Sequence, residues 1–361
     1  MEQAAAQPGG PGVLTEIPRQ APVEIPGAPA IARREVPALN IALFLLTLLT
    51  TTMAGAYAAV DTGISVLHPI ESLRLLSAGL SFSIPLMAIL LAHEMGHYVT
   101  SRRYGVDTSL PYFIPAPFPS LFIVGTFGAF IRMRSMPRSR RVMFDIGAAG
   151  PWAGVLVAIP CVIIGLSMSQ IGPLGGGGGG IELGNSLLFL GLTRWVLGVN
   201  PSLVSINLHP AAFAGWLGLF VTTLNLLPVG QLDGGHVTYA LFPRQHRRIS
   251  KLFVITCVLM VVVPLALGYS FWGGWLLWAV IAVALGLGHP STVDRDTPLN
   301  PVRRFAAWAT IALFIATFSP VPVSINFPES GPPSHESQVY DVMHRAPGHV
   351  LHVPHHGTVR I

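Results

Sequence analysis

The stretch Leu91-Ala-His-Glu-Met-Gly-His-Tyr98 sets His93 and His97 four residues apart. In a helix both imidazoles then share one face and can chelate a single metal ion. Glu94, beside the first of them, can reach a water at such a metal without ligating it, which is the position of a general base. A helix can carry two histidines and a glutamate by chance, and the alternative is that they only cap the end of a helix near Arg102 and Arg103. The setting favours chemistry: the three close an apolar run, where ionisable groups are costly and usually functional.

A catalytic zinc keeps three protein ligands and one open position, so a third ligand is expected elsewhere. The segment Asn225-Leu-Leu-Pro-Val-Gly-Gln-Leu-Asp-Gly-Gly-His236 offers Asp233 at the end of another apolar run. Pro228, Gly230, Gly234 and Gly235 loosen the backbone there, so that a carboxylate can turn inward. The competing reading is an aspartate that serves the turn before Gly234.

These groups need a scaffold, and composition says which kind. Of 361 residues, 51% are hydrophobic and only 10% charged, far below the roughly 25% charge of a soluble domain. Apolar runs near the length of a bilayer span recur at Leu39 to Val60, Leu75 to Leu91, Ile146 to Ile171, Ala211 to Leu227, Leu252 to Leu267, Phe271 to Leu287 and Phe305 to Phe318. The expected fold is an all-α polytopic membrane protein of about seven transmembrane helices, with a short strand-like or re-entrant segment. That segment is Pro111 to Met133, where Pro111, Pro115, Pro117 and Pro119 exclude a continuous helix and Phe122 to Met133 partly alternates. Non-helical backbone at membrane depth must be buried in protein or line a wet cavity, so such a segment would border a site. Residues Ser186 to Val199 are too short to span and suit an interfacial helix.

With the N-terminus inside, seventeen of the 21 basic residues fall in inner segments and four in outer ones. By the positive-inside rule the N-terminus and both ligand segments face the cytoplasm, with the cell membrane as the expected location. The basic residues are spread among loops rather than gathered on one module, which excludes nucleic acid as a partner. Cys161 and Cys257 lie in apolar runs without metal or disulfide spacing. Three regions are expected: a disordered cytoplasmic extension at 1–38, a transmembrane catalytic domain at 39–320, and a polar, His-containing tail at 321–361. Glycines 175 to 180 read as a flexible outer loop, His209 as remote from the metal, and His236 as supporting rather than ligating.

Taken in order, His93-Glu94-x-x-His97, Gly150-Pro151 and Asn225-x-x-Pro228-x-x-x-Leu232-Asp233-Gly234 resemble the site-2 protease family of intramembrane zinc metalloproteases, over residues 75 to 245. The resemblance implies that His93, His97 and Asp233 bind Zn2+, that Glu94 is catalytic, and that the partners are the lipid bilayer and a membrane-anchored protein cut within or near its span. It also implies an oxyanion role for Asn225, whose amide could equally make an interhelical contact. The alternative from another class is a transporter or ion-conducting protein using the same intramembrane cluster. Substrate identity and oligomeric state are not encoded in these motifs.

Overall fold

The computed structural model describes residues 37–58, 69–117, 124–172, 180–289, 294, 297–326 and 359–360. The expected N-terminal extension up to residue 36, most of the glycine run and the histidines at 335 to 356 lie outside them. The described residues belong to one compact unit, Arg33–Ile361.

Helices dominate. Among the described residues, four are long and apolar enough to cross a membrane: α1 (Ala38–Ala58), the Gly79–Arg103 part of α2 (Pro69–Arg103), α3 (Arg140–Ser167) and, after three shorter helices, α7 (His246–Leu267). The intervening helices are α4 (Leu187–Leu197), α5 (Pro210–Asn225) and α6 (Asp233–Leu241); α8 (Gly274–Leu285) and α9 (Pro301–Thr317) follow. The expected count of about seven spans is therefore not confirmed among the described residues. Three of the seven apolar runs form α5, α8 and α9, which have 16, 12 and 17 residues and reach only about 18–26 Å at 1.5 Å per residue. Hydropathy registers apolar length, but α5 stops at Asn225, inside its run, and α8 stops before Gly286, whose positive φ interrupts the run from Phe271 to Leu287.

The core lies where α2, α3 and α5 meet, with Phe82, Leu86 and Ile89 of α2 packed against Val155, Ala158 and Val162 of α3 and Ala212 and Leu219 of α5. Small residues let these helices approach closely, as membrane helices require: a Cβ at Gly96 would stand 2.5 Å from the Ala149 carbonyl oxygen. On α5, eleven of sixteen residues are buried. On α1 and α7, by contrast, leucines and valines face outward, including Leu45, Leu49, Leu252 and Val262, as expected for lipid-facing helices.

Between α2 and α3 the proline-rich stretch forms an antiparallel pair, β1 (Tyr112–Pro115) with β2 (Thr126–Phe130). It runs alongside α1: Asn40 Nδ2 donates to the Leu110 and Pro111 carbonyls at 3.2 and 2.9 Å, and Thr50 Oγ1 donates to the Gly125 carbonyl at 2.7 Å. Ten residues of α1 separate those anchors, so the hairpin follows a spanning helix for about 15 Å.

A second sheet corrects the all-α expectation. Its order is β3-β5-β7-β4-β6, from β3 (Gln170–Gly172), β4 (Gly180–Leu183), β5 (Ser205–Asn207), β6 (Val323–Asn326) and β7 (Val359–Arg360). It gathers the chain just after α3 and α9 and just before α4 and α5, so it closes the bundle at the end where α3 finishes. Its strands hold two to four residues each, too few to show an alternating pattern in sequence. The expected interfacial helix is α4, capped by Ser186 Oγ accepting from the Phe189 amide and ended by Gly198 in the left-handed region.

Candidate metal centre

Both histidines sit in the last third of α2, on the face turned toward α3. His93, Glu94 and His97 are each no more than 6% exposed. The His97 Nδ1–H donates to the Ile146 carbonyl of α3 at 2.8 Å, which leaves the Nε2 lone pair available to another partner. A hydrogen bond on one ring nitrogen fixes tautomer and orientation in this way in metal-ligating histidines generally.

Asp233 arrives from the other side. After α5 ends at Asn225 the chain turns tightly, with the Val229 amide donating to the Leu227 carbonyl at 2.7 Å and Gly230 in the left-handed region (φ 51°). The Pro228 carbonyl accepts from Ser250 Oγ at 2.9 Å, pinning the turn to α7. Asp233 then occupies the first position of α6, where the positive end of a helix favours a carboxylate. Gly234 is needed because any Cβ there would overlap the Leu226 carbonyl oxygen.

The result is a nearly equilateral triangle of donor atoms. His93 Nε2 and His97 Nε2 are 3.1 Å apart, and Asp233 Oδ2 is 3.3 Å from the first and 3.2 Å from the second. Tetrahedral zinc with bonds of about 2.0–2.1 Å has ligand-to-ligand edges of about 3.3 Å. These three residues can therefore hold a metal ion, and the donor set of two imidazoles and a carboxylate fits zinc.

Two further groups reach the triangle. Asn225, the last residue of α5, brings Nδ2 within 3.2 Å of His93 Nε2. The Ile131 backbone, just after β2, lies near the Glu94 carboxylate, so the strand pair ends beside that group.

A family comparison on the sequence matches the model described as peptidase family M50 over residues 81–268. The matched segment runs from α2 to the end of α7 and includes His93, Glu94, His97, Asn225 and Asp233. The chain belongs to peptidase family M50. Among its relatives, the M50 chain is 32% identical to the rice (Oryza sativa subsp. japonica) protein named "Probable zinc metalloprotease EGY1, chloroplastic", over 78% of this chain and 48% of the relative. It is 31% identical to the Arabidopsis thaliana protein of the same name, over 68% and 43%, and 24% identical to Arabidopsis "Probable zinc metalloprotease EGY2, chloroplastic", over 73% and 45%. The chain thus spans less than half the length of these relatives. Their names carry a chloroplast address, which does not match the cell membrane expected from the sequence; what the apolar helices support is a membrane protein.

Around this M50 centre the structure adds residues that sequence reasoning did not assign. Gly150 of the Gly-Pro pair packs against His97, and Gly154 against His93. His289 hydrogen-bonds His236, Nε2 to Nδ1 at 2.7 Å, and stacks on Tyr239 with ring centroids 4.3 Å apart. His236 is thus held one helical turn beyond Asp233 without joining the triangle. Only the Gly-Pro pair had a signal in sequence; His289 had none. His209 caps α5, its Nδ1 accepting from the Ala211 amide at 3.2 Å, at the opposite end of that helix from Asn225.

Proposed function

We propose that the chain is a zinc metalloendopeptidase of the site-2 protease type, hydrolysing peptide bonds of membrane-anchored proteins within or near their spans. The observation that carries this reading is the triangle of His93 Nε2, His97 Nε2 and Asp233 Oδ2 beside the buried carboxylate of Glu94. The relatives' names supply the metal and the reaction class. When bound, zinc contributes Lewis-acid polarisation of the scissile carbonyl and of the attacking water.

The remaining steps fall to the chain's own residues. His93, His97 and Asp233 hold the ion. Glu94 takes the proton of the attacking water and delivers it to the leaving amine. Asn225 donates its side-chain N–H to the carbonyl oxygen as negative charge builds there. A helical substrate must unwind first, because its carbonyls are otherwise engaged in the helix. β2 supports this step: it pairs with β1 on one edge and leads directly to Ile131, so an unwound segment adding to its other edge would lie beside Glu94. The arginine asymmetry supports a cytoplasmic N-terminus and a centre near the same face. Family membership weighs against the transporter reading.

The test uses purified full-length chain, zinc analysis and cleavage of a single-span substrate. Glu94→Gln should keep its zinc and lose about 100-fold or more in turnover. Undiminished cleavage by that variant would overturn the assignment.

A further inference from the structure

Away from the metal centre, a groove of about 520 Å3 opens between the end of α2 and the starts of α3 and α9. One wall is apolar, built from Phe144, Ala148 and Trp152 of α3 and Ala306 of α9. The indole is held in place: its Nε1–H donates to Thr310 Oγ1 of α9 at 3.0 Å. The opposite rim is polar and comes from the last turn of α2 and the residue after it, with Thr100, Arg103 and Tyr104.

The charges on that rim do not cancel. Asp145 is fully engaged, since Arg303 Nε donates to its two oxygens at 2.9 and 3.0 Å and Nη2 to Oδ2 at 2.7 Å. Tyr104 donates its hydroxyl to Asp145 and accepts from Arg303 Nη2 at 3.2 Å, and the Asp145 bond raises its pKa, so it adds no negative charge. Arg103 is exposed and, among the described residues, has no hydrogen bond or ion pair. Two arginines against one aspartate leave one positive charge, seated over an apolar slot.

The position of the groove matches that chemistry. It lies where two spanning helices end and begin. Tyr104 and Trp152 are 42% and 43% exposed, and Val302 and Phe305 of α9 stand outward next to Arg303 and Arg304. Exposed aromatic and apolar side chains interleaved with arginines mark a membrane–water boundary. Basic pockets between spanning helices at that level suit anionic headgroups, each arginine near the surface contributing about 1 kcal/mol.

We propose that this groove binds one anionic phospholipid, its headgroup phosphate on Arg103 and the Thr100 hydroxyl and one acyl chain along Ala148 and Trp152. The site is independent of the protease reading, since none of its residues belongs to the metal centre.

The experiment takes full-length chain, delipidated in neutral detergent, and measures lipid retained after mixing with micelles of phosphatidylglycerol or of phosphatidylcholine, by native mass spectrometry. Wild type should retain one phosphatidylglycerol per chain, preferred over phosphatidylcholine by about fivefold. Arg103→Ala should remove the preference and Arg103→Lys should keep most of it. Arg244→Ala, an exposed arginine between α6 and α7, should leave it unchanged. The lysine variant guards against misfolding as the cause of any loss. Equal retention of both lipids, an unaltered preference in Arg103→Ala, or the same loss in Arg244→Ala would each overturn the proposal. Displacement by excess inorganic phosphate would identify the ligand as a free anion and overturn it equally.

Discussion

Gly150 of α3 lies flat against the His97 imidazole, so that a Cβ built at position 150 would overlap Nε2, the atom offered to the metal. One turn further on, Gly154 faces His93 with more room, its nearest approach being 3.3 Å. The two glycines make α3 the back wall of the metal centre, and the Ile146 carbonyl on the same helix holds His97 by its other nitrogen.

This difference in clearance gives the first prediction. Gly150→Ala should lower zinc affinity by about 10–100-fold, the range for disturbing a group that orients a ligand. Gly154→Ala, where His93 need yield only a few tenths of an ångström, should bind zinc within a few-fold of wild type. Competition with a zinc-sensitive chelator reads both, and wild-type affinity in Gly150→Ala would show that His97 is not confined by α3.

Asp233 closes the triangle and is 14% exposed in its side chain. Asp233→Ala should lose metal and activity together, with affinity reduced at least about tenfold. Full zinc occupancy in this variant would remove Asp233 from the ligand set and with it the three-donor geometry.

Asn225 separates two roles by two measurements. If its amide stabilises the developing oxyanion, Asn225→Ala should lower kcat by about 100- to 1,000-fold while zinc content stays at wild type. A parallel fall in zinc content would mean that the 3.2 Å contact with His93 serves to position that ligand instead.

The Arg303–Asp145 pair joins α9 to α3 through three short hydrogen bonds, with side chains 27% and 18% exposed. Partial burial and fork geometry place it above an ordinary surface pair, at about 1–2 kcal/mol. Thermal unfolding in detergent should show a lower Tm for Arg303→Ala and for Asp145→Ala, and a double variant less destabilised than their sum. Strict additivity would show that the pair contributes nothing as a pair.

Orientation can be tested by thiol labelling. With Cys161 and Cys257 replaced by Ala, single cysteines at Arg138, before α3, and at Leu203, before β5, should react with an impermeant reagent from opposite sides of the membrane. Reaction of both from one side would refute the arginine-based topology.

How much of this was legible beforehand follows from distance along the chain. The spacing of His93 and His97 is a local property of one helix, so it could be read directly. The loosened chain around Gly230 and Gly234 likewise announced a turn that could bring Asp233 inward, and the prolines near β1 announced a break in helix. The His97 bond to Ile146 spans 49 residues and ends on a backbone oxygen, which any residue type could supply. Asn225 meets His93 across 132 residues, and the short sheet joins strands from as far apart as 170 and 360. None of these has a signature in residue type.

The sequence by itself offered a candidate metal-binding trio beside a carboxylate, carried on a chain too apolar and too sparsely charged for water. Tertiary structure decided which apolar runs are long helices and which are short ones, that a sheet closes one end, and that Gly150, Ile146, Ile131 and Asn225 surround the trio. The reason is physical. Apolar content and helical period act within a few turns, whereas the placement of a backbone carbonyl or a missing Cβ against an imidazole arises only when distant helices pack.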